Sequence, residues 1–576
     1  MERVHRPRHI SAALLLAAVA AGYGYFAVYD DRVAGEQIRA ATVALKEAEP
    51  ALYAHDPEFG PGGVWRGHSP LFQAMLKLVL VPAGYEDSML TFRAMAPVMA
   101  LVFVLGMYAL IYRQCRSWSV SVFVAVLSST VTGAPGGFAW GFGPVATATS
   151  GGLCLALSPL LVLGFLSCTD PGSRGRRRGR GGEWKLLLVF ACVGLLGNVD
   201  LSVSINMTLV LVGAYLLRRR MSLRAWPMGV GCVLAAAAAA IPQGVYLLRL
   251  RQSITVRPEQ GAAAADVVEA LRQADLRVMF PVLAREFLDG LLACGVVILL
   301  AGAVLIRIGR FRARNLGFWA AMLASALLVS LGLQGMFQLV AALLGRPPAA
   351  IDFVRAAPLA MLPLYVMAAQ TITNLLRLWR RGNMVRWGCV GLLAVWMIPS
   401  DNLRVLRHGA YGLMTAHVPE ANIPARFRRR LRKRAERRAR RAELARIARW
   451  ARSNTSADAV FFTGEPEFRM LSRRSILAGE DVRWTFYLAP GRLAEWMARA
   501  ERLRLLLEPP TGRPDAEALH KFIIDFTGEK GTQWEGVDEW YAILDADAAP
   551  EESAWLKYVP AAEKGWGTHL VVARVQ

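Results

Sequence analysis

From residue 10 to residue 400 the chain runs as long apolar stretches broken by short arginine clusters. That alternation leaves few folds open. A helix that crosses a bilayer needs about 20 mainly apolar residues, because nothing in the hydrocarbon core satisfies a free backbone N–H or C=O. A soluble chain of 576 residues would instead spread its apolar residues periodically over several domains. The composition agrees with the membrane reading: 55% of residues are hydrophobic, and mean hydropathy is +0.33. The net charge of +23 would suit a nucleic-acid binder only on a soluble basic face. Here the excess lies mostly in loops between apolar runs, where topology explains it. The seven cysteines, Cys115, Cys154, Cys168, Cys192, Cys232, Cys294 and Cys389, lie in or beside apolar runs. With no CxxC among them, neither a disulfide framework nor a zinc site is supported.

Charge sets the topology. Arg3, Arg6 and Arg8 precede the run Ile10–Val28, which is long for a signal peptide and ends in Tyr-Asp-Asp without a small-x-small cleavage site. It reads as an uncleaved first helix with its amino end inside, which leaves the acidic loop 29–91 outside. Within that loop Ser69–Val81 is short and contains Lys77, so it is expected to lie in the interface. Spans then follow at Phe92–Tyr112, Trp118–Val131, Thr147–Leu166, Trp184–Gly197, Ser202–Leu217, Val230–Leu248, Leu291–Ile306, Leu316–Leu344, Phe353–Leu376 and Trp387–Pro399. The total is about eleven. Each short inner loop from Arg113 onward is basic, most strongly at Arg174–Gly182. Ala134–Val145 is expected as an outer Gly/Pro/aromatic loop.

The segment Arg426–Arg441 carries eleven basic residues and one acid, yet this topology puts it outside. The charge rule acts weakly on long translocated domains. Two readings stay open: a solvated helix, or a clamp for anionic lipid headgroups and lipid-linked phosphates. Beyond it the composition is that of a soluble domain. Asp458–Thr463, Ser475–Leu477, Phe522–Asp525 and Leu570–Val575 read as strands, and Leu493–Leu506 as an amphipathic helix. The expected fold is a polytopic α-helical membrane protein with a small C-terminal α/β domain outside the cytoplasm. Its parts are a membrane domain over 1–400, a basic linker helix over 401–441 and a soluble domain over 442–576. No GxxxxGK[ST] or GxGxxG occurs, so nucleotide binding is not supported.

Polar groups that can do chemistry collect in the first outer loop. Asp30 and Asp31 directly follow the first helix, and Asp56 lies in EPALYAHDPEFGPGGVWRGHSPLF, Glu49–Phe72. Carboxylates held at an interface can act as general bases or metal ligands. An outer loop can also simply carry acids. Asp352 and Arg355 sit at the outer end of a span, a costly place for charge, as a functional pair or a structural ion pair. Arg66 and His68 flank the interfacial helix as candidate substrate contacts, with a structural histidine as the alternative. Asn198 and Asp200 either line a cavity or form a turn. Arg473 and Arg474 either reach phosphate or stay solvated.

An acid directly after the first helix, a Pro-Asp-Pro-like stretch and SPLF opening an interfacial helix resemble the first loop of the GT-C class of membrane glycosyltransferases. The matching pieces are Asp30/Asp31, EPALYAHDPEF and HSPLF. The opening of the soluble domain, WARSNTSADAVFFTGEPEFRMLSRRSILAGED, resembles that of bacterial members of the class. The resemblance implies a GT-C-like fold in the bacterial inner membrane, with the amino terminus cytoplasmic. It implies sugar transfer from a polyprenyl-phosphate donor to an envelope glycan, lipid or protein acceptor, with Asp30, Asp31 or Asp56 as base or metal ligand. A divalent cation, Mg or Mn, is the cofactor such a ligand would hold, though no ligand spacing is fixed. Expected partners are the lipid-linked donor and anionic membrane lipids, and no nucleic acid. No WWD-type oligosaccharyltransferase signature is present. A transporter or lipid flippase would carry ionisable groups near the midplane or an internal repeat, and neither is evident. A non-catalytic envelope scaffold is the third reading.

Overall fold

The computed structural model describes residues 6–28, 35–60, 64–82, 88–133, 139–169, 183–253, 281, 284–285, 306–307, 314–344, 352–378, 382–398, 400–417, 425–477, 501–502, 504–506, 515–527, 537–559 and 569–576. Seven of the described helices are long and apolar enough to cross a membrane. They are α1 (Pro7–Ala27), α4 (Met89–Cys115), α6 (Ser150–Thr169), α8 (Leu201–Arg218), α9 (Leu223–Leu250), α10 (Leu316–Leu343), and Phe353–Leu378, a 3-10 turn continued by α11 (Met361–Leu378). The chain is therefore a multi-pass membrane protein. Three further expected spans are shorter helices: α5 (Trp118–Ser128), α7 (Glu183–Leu196) and α12 (Gly382–Met397). The remaining expected span, Leu291–Ile306, lies outside the described residues apart from its last. α2 (Gly35–Ala48) and α3 (Pro70–Leu80) form the first loop, with α3 short as expected.

The helix ends assigned to opposite sides by charge do gather at opposite ends of the bundle. At one end His9 bonds Tyr108 at 2.7 Å, the Trp118 indole donates to the Arg8 carbonyl, and Arg314 reaches the Arg113 carbonyl. At the other, Gln37 of α2 donates to the carbonyls of Val145 and Ala148, and Ser69 donates to the Asn198 carbonyl.

α5 has 11 residues. At about 1.5 Å per residue it is too short for a hydrocarbon core of roughly 30 Å. The chain continues from it as irregular backbone through a two-stranded hairpin, β1 (Thr132–Gly133) with β2 (Ala139–Trp140), whose Trp140 is buried. The buried amide of Asn402, in α13 (Asp401–His417), makes this tolerable. Its Oδ1 accepts from Val131 N, and its Nδ2 donates to the carbonyls of Ser129 and Phe142. Of the segment expected as an outer loop, the described residues 140–145 are buried against the core. A related repair occurs in α9 beside Pro242, where Asn198 Nδ2 donates to Ala239 O and its Oδ1 accepts from Gln243 N. One side chain takes both partners of a missing helical bond. α7 and α9 approach so closely that a Cβ on Gly194 would strike the backbone of Ala236, which is small-residue packing.

The C-terminal domain is a five-stranded mixed sheet in the order β4-β3-β5-β7-β6, with helices on both faces. The strands are β3 (Val460–Phe462), β4 (Ser475–Leu477), β5 (Trp540–Asp545), β6 (Leu556–Tyr558) and β7 (Leu570–Val575). Val460 and Phe462 face α16 (Ala516–Thr527), while Phe461 faces α14 (Ala425–Asn454), as the two-residue strand period requires. Two expectations change. Phe522–Asp525 is helical, because Leu519, Phe522 and Ile523 share one buried face and an apolar run as short as Phe522–Ile524 fits either state. The expected linker boundary at 441/442 falls inside α14, whose basic first half continues into Leu444, Ile447, Ala448 and Ala451 in the domain core. The helix expected at Leu493–Leu506 lies largely outside the described residues.

Glu443, fully buried in α14, accepts from the backbone N–H groups of His569 and Leu570 at 3.1 Å and so anchors the start of β7. Glu443→Ala leaves both donors unpaired and is expected to cost about 2–3 kcal/mol, with Glu443→Gln losing less. Thermal unfolding, with hydrogen exchange at Leu570, reads both effects.

Candidate functional site

The first loop meets the C-terminal domain through a cluster of buried charges. In YAHDPEF the Asp56 carboxylate folds back on its own turn, with Oδ1 accepting from Glu58 N at 3.0 Å and Phe59 N at 3.1 Å. Its Oδ2 accepts from Arg469 Nε at 2.7 Å and Ile476 N at 3.2 Å. Arg469 belongs to α15 (Glu467–Ser472), and Ile476 to β4. Glu58 bridges Arg469 at 3.2 Å and Arg39 of α2 at 2.7 Å. The Arg469 guanidinium lies 4.8 Å from the Phe59 ring centre, and all four charged residues are at most 4% exposed. Tyr53, at φ 60°, donates its hydroxyl to the Arg469 carbonyl, and burial pushes its pKa up. A non-glycine residue there stores strain that the surrounding contacts hold in place.

This placement corrects the catalytic expectation for Asp56. A carboxylate offers about four acceptor positions, and four donors fill them here. Asp56 has no lone pair left for an acceptor proton, and its work is to dock the domain.

His68 is held by the same network. Arg39 Nε donates to His68 Nε2 at 2.7 Å, so that nitrogen is unprotonated. Desolvation first, and the Arg39 charge second, push the ring pKa well below 6.5. Arg66 is exposed: its guanidinium lies 5.1 Å from the Trp65 ring centre, and its carbonyl accepts from Tyr246. Arg473 pairs with Glu49 at 2.6 Å, a second bridge to the first loop. Buried Arg474 donates to the carbonyls of Arg452 and Thr455, closing the end of α14. Neither is a solvated charge.

A second cluster forms where Asp352 and Arg355 were expected to matter. Arg355 sits in Phe353–Ala360, eight residues of 3-10 helix, where runs beyond three or four are uncommon. Two groups hold the entry to this turn. Gln334, directly after the π-helical turn Leu328–Leu333 of α10, accepts from Phe353 N at 3.0 Å, and Asn206 of α8 donates to Asp352 O at 2.9 Å. Arg355 then contacts Asp200 at 3.1 Å, Asp352 at 3.3 Å and Glu36 of α2 at 3.8 Å. Asp200 also caps α8 by accepting from Val203 N, and it accepts from Ser150 at 3.2 Å. Glu36 is the outermost acid, its side chain 41% exposed against 9% for Asp200.

Asp30 and Asp31 lie outside the described residues, between α1 and α2. No group of three or more His, Cys, Asp or Glu side chains among the described residues is arranged to hold a metal ion. The three acids around Arg355 do not fit a divalent cation, because the guanidinium already supplies their positive partner. Sequence reasoning did not single out Arg39, Glu58, Arg469 or Glu36. Arg469 was visible only as part of the FRMLSRR stretch, and α2 carried no long apolar stripe.

No family model matches the chain, and no curated protein matches it. Among solved structures, the crystal structure of ArnT from Cupriavidus metallidurans in the apo state is similar over 97% of this chain and 97% of that one, at 13% identity and a TM-score of 0.41. A likeness of that degree assigns no activity.

Removing one partner of a buried ion cluster typically costs about 3–5 kcal/mol. Arg469→Met is therefore expected to release the domain from the first loop, read as fast hydrogen exchange at Glu58, Phe59 and Ile476. Slow exchange at all three would show that the cluster is not what docks it. Acid should weaken the same junction. The unfolded chain protonates His68 near pH 6.5, while the folded ring stays neutral, so stability falls as pH drops below that value. The loss is up to about 1.4 kcal/mol per pH unit, until the folded ring itself takes a proton. Unfolding midpoints compared between about pH 7.5 and about pH 5.5 should show this drop, reduced in His68→Gln.

Proposed function

We propose that the chain is an integral-membrane glycosyltransferase of the bacterial inner membrane. It moves a sugar from a polyprenyl-phosphate donor to an envelope acceptor on the side of the first loop and the C-terminal domain. The observation that carries this reading is Arg355, presented by a long 3-10 turn at the end of the bundle and ringed by Glu36, Asp200 and Asp352. Glycosyl transfer needs a cation for the departing phosphate and a carboxylate for the acceptor hydroxyl proton, side by side at a membrane surface. The GT-C-like layout of the first loop adds to that chemistry.

In this proposal the donor phosphate displaces Glu36 from Arg355, the longest of the three contacts and the most exposed acid. Asp200 and Asp352 keep the guanidinium in place. The acceptor oxygen attacks the anomeric carbon and its proton passes to a first-loop carboxylate, Glu36, Asp30 or Asp31. The bond from the anomeric carbon to the phosphate oxygen breaks, and the electron pair stays on that oxygen, facing Arg355. A divalent cation, where one binds, would have Asp30 and Asp31 as its protein ligands. A transporter or flippase is the alternative. The ionisable cluster at the helix ends favours chemistry at the surface over passage.

The test is transfer from a synthetic polyprenyl-phospho-sugar to membrane acceptors in proteoliposomes. Arg355→Met should lower the rate about 100-fold or more. The combined variant Asp30→Asn, Asp31→Asn, Glu36→Gln should lose transfer while folding normally. Full activity in that variant would overturn the assignment.

A further inference from the structure

At the end of the bundle opposite the first loop, three parts of the chain border an open cavity of about 720 Å³. α1 brings Arg8 and Ser11, the turn between α4 and α5 brings Arg116 and Ser117, and α11 brings Arg377. No acidic residue is among the described residues that line it, and none of the three arginines forms an ion pair among the described residues. The side wall is fixed, because the Trp118 indole donates to the Arg8 carbonyl and ties α1 to α5. Arg116 adopts φ 55°, a left-handed conformation that costs energy in a non-glycine residue, and it ends α4 with its N–H on the Tyr112 carbonyl. Ser117 is the N-cap of α5 but makes no side-chain cap bond, and Ser117, Trp118 and Ser119 at that helix start line the same space. Leu376 and Trp118 add apolar lining.

The three guanidinium groups are solvent-exposed and concentrate positive charge on one cleft, which an anion bound among them would offset. Guanidinium forks, serine hydroxyls and the amino end of a helix are the donors that phosphate oxygens accept from. Apolar lining beside them suits the glycerol and upper acyl carbons of a lipid. We propose that this cavity binds a phosphate group, carried by an anionic phospholipid headgroup or by a soluble phosphate compound. The site lies at the other end of the bundle from Arg355 and does not depend on the proposed transfer activity.

Native mass spectrometry of the full chain in detergent, titrated with phosphatidylglycerol or phosphatidylcholine, tests it. The wild type should hold one phosphatidylglycerol far more tightly than phosphatidylcholine. The combined variant Arg8→Gln, Arg116→Gln, Arg377→Gln should weaken it at least about tenfold. A control variant in the basic half of α14, Arg429→Gln, Arg432→Gln, Arg437→Gln, should leave that tight site unchanged. Displacement by inorganic pyrophosphate would identify a soluble phosphate compound as the ligand, and resistance to it a lipid headgroup. Lysine at the same three positions keeps the charge, so binding kept with lysine and lost with glutamine separates recognition from folding. Unchanged affinity in the glutamine variant, or equal binding of phosphatidylcholine, would overturn the proposal.

Discussion

The contact between Arg469 and the Asp56 carboxylate decides how the two halves of this molecule relate. Two arginines and two acids are taken out of water between the first loop and the C-terminal domain. Such a cluster is tolerable only when the charges balance and the hydrogen bonds are made. Asp56 meets that condition through four donors, two from its own turn and two from the distant domain. Because either half alone would leave buried charge unpaired, the first loop and the domain hold each other in place. Arg39 extends the lock to α2, and through His68 to the entry of α3.

That lock matters for chemistry because α2 carries Glu36 at its start. Once α2 is fixed, Glu36 lies 3.8 Å from Arg355, and a polar loop becomes one wall of a membrane-end site. The other walls come from backbone that regular helices would not provide. A 3-10 turn presents Arg355, a π-helical turn precedes the Gln334 that pins it, and Asp200 caps α8 while holding the guanidinium. Irregular backbone in a membrane bundle is expected only where protein groups or a cavity can satisfy it. The side chains of Gln334, Asn206, Asn198 and Asn402 do so here.

Much of the bundle was legible in the sequence because a bilayer constrains length and charge so strongly. The runs around Val104, Leu161 and Val210 could hardly be anything but spans, and the arginine clusters sort the helix ends into two sets. The short helices were harder. Trp118–Val131 reads as a span on hydropathy, yet its last residues leave the helix, and the amide that makes this possible comes from Asn402, far along the chain. Asp352 and Arg355 were visible because charge at a span end is costly. Glu36 and Arg469 were not, since each gains meaning only from a partner hundreds of residues away. Asp56 misled for the same reason: an acid in a Gly/Pro loop looks available until its donors are counted. FIID looked like a strand because three apolar residues in a row do not distinguish a strand from one face of a helix.

The most direct measurement is native mass spectrometry of the wild-type protein and Arg355→Met purified in mild detergent, each mixed with a synthetic polyprenyl-phospho-sugar. Retention of the donor by the wild type, with loss in the variant, is the result a phosphate-binding Arg355 predicts. Equal retention by both, or binding of ordinary phospholipid alone, would contradict it and return the cluster around Arg355 to a structural role.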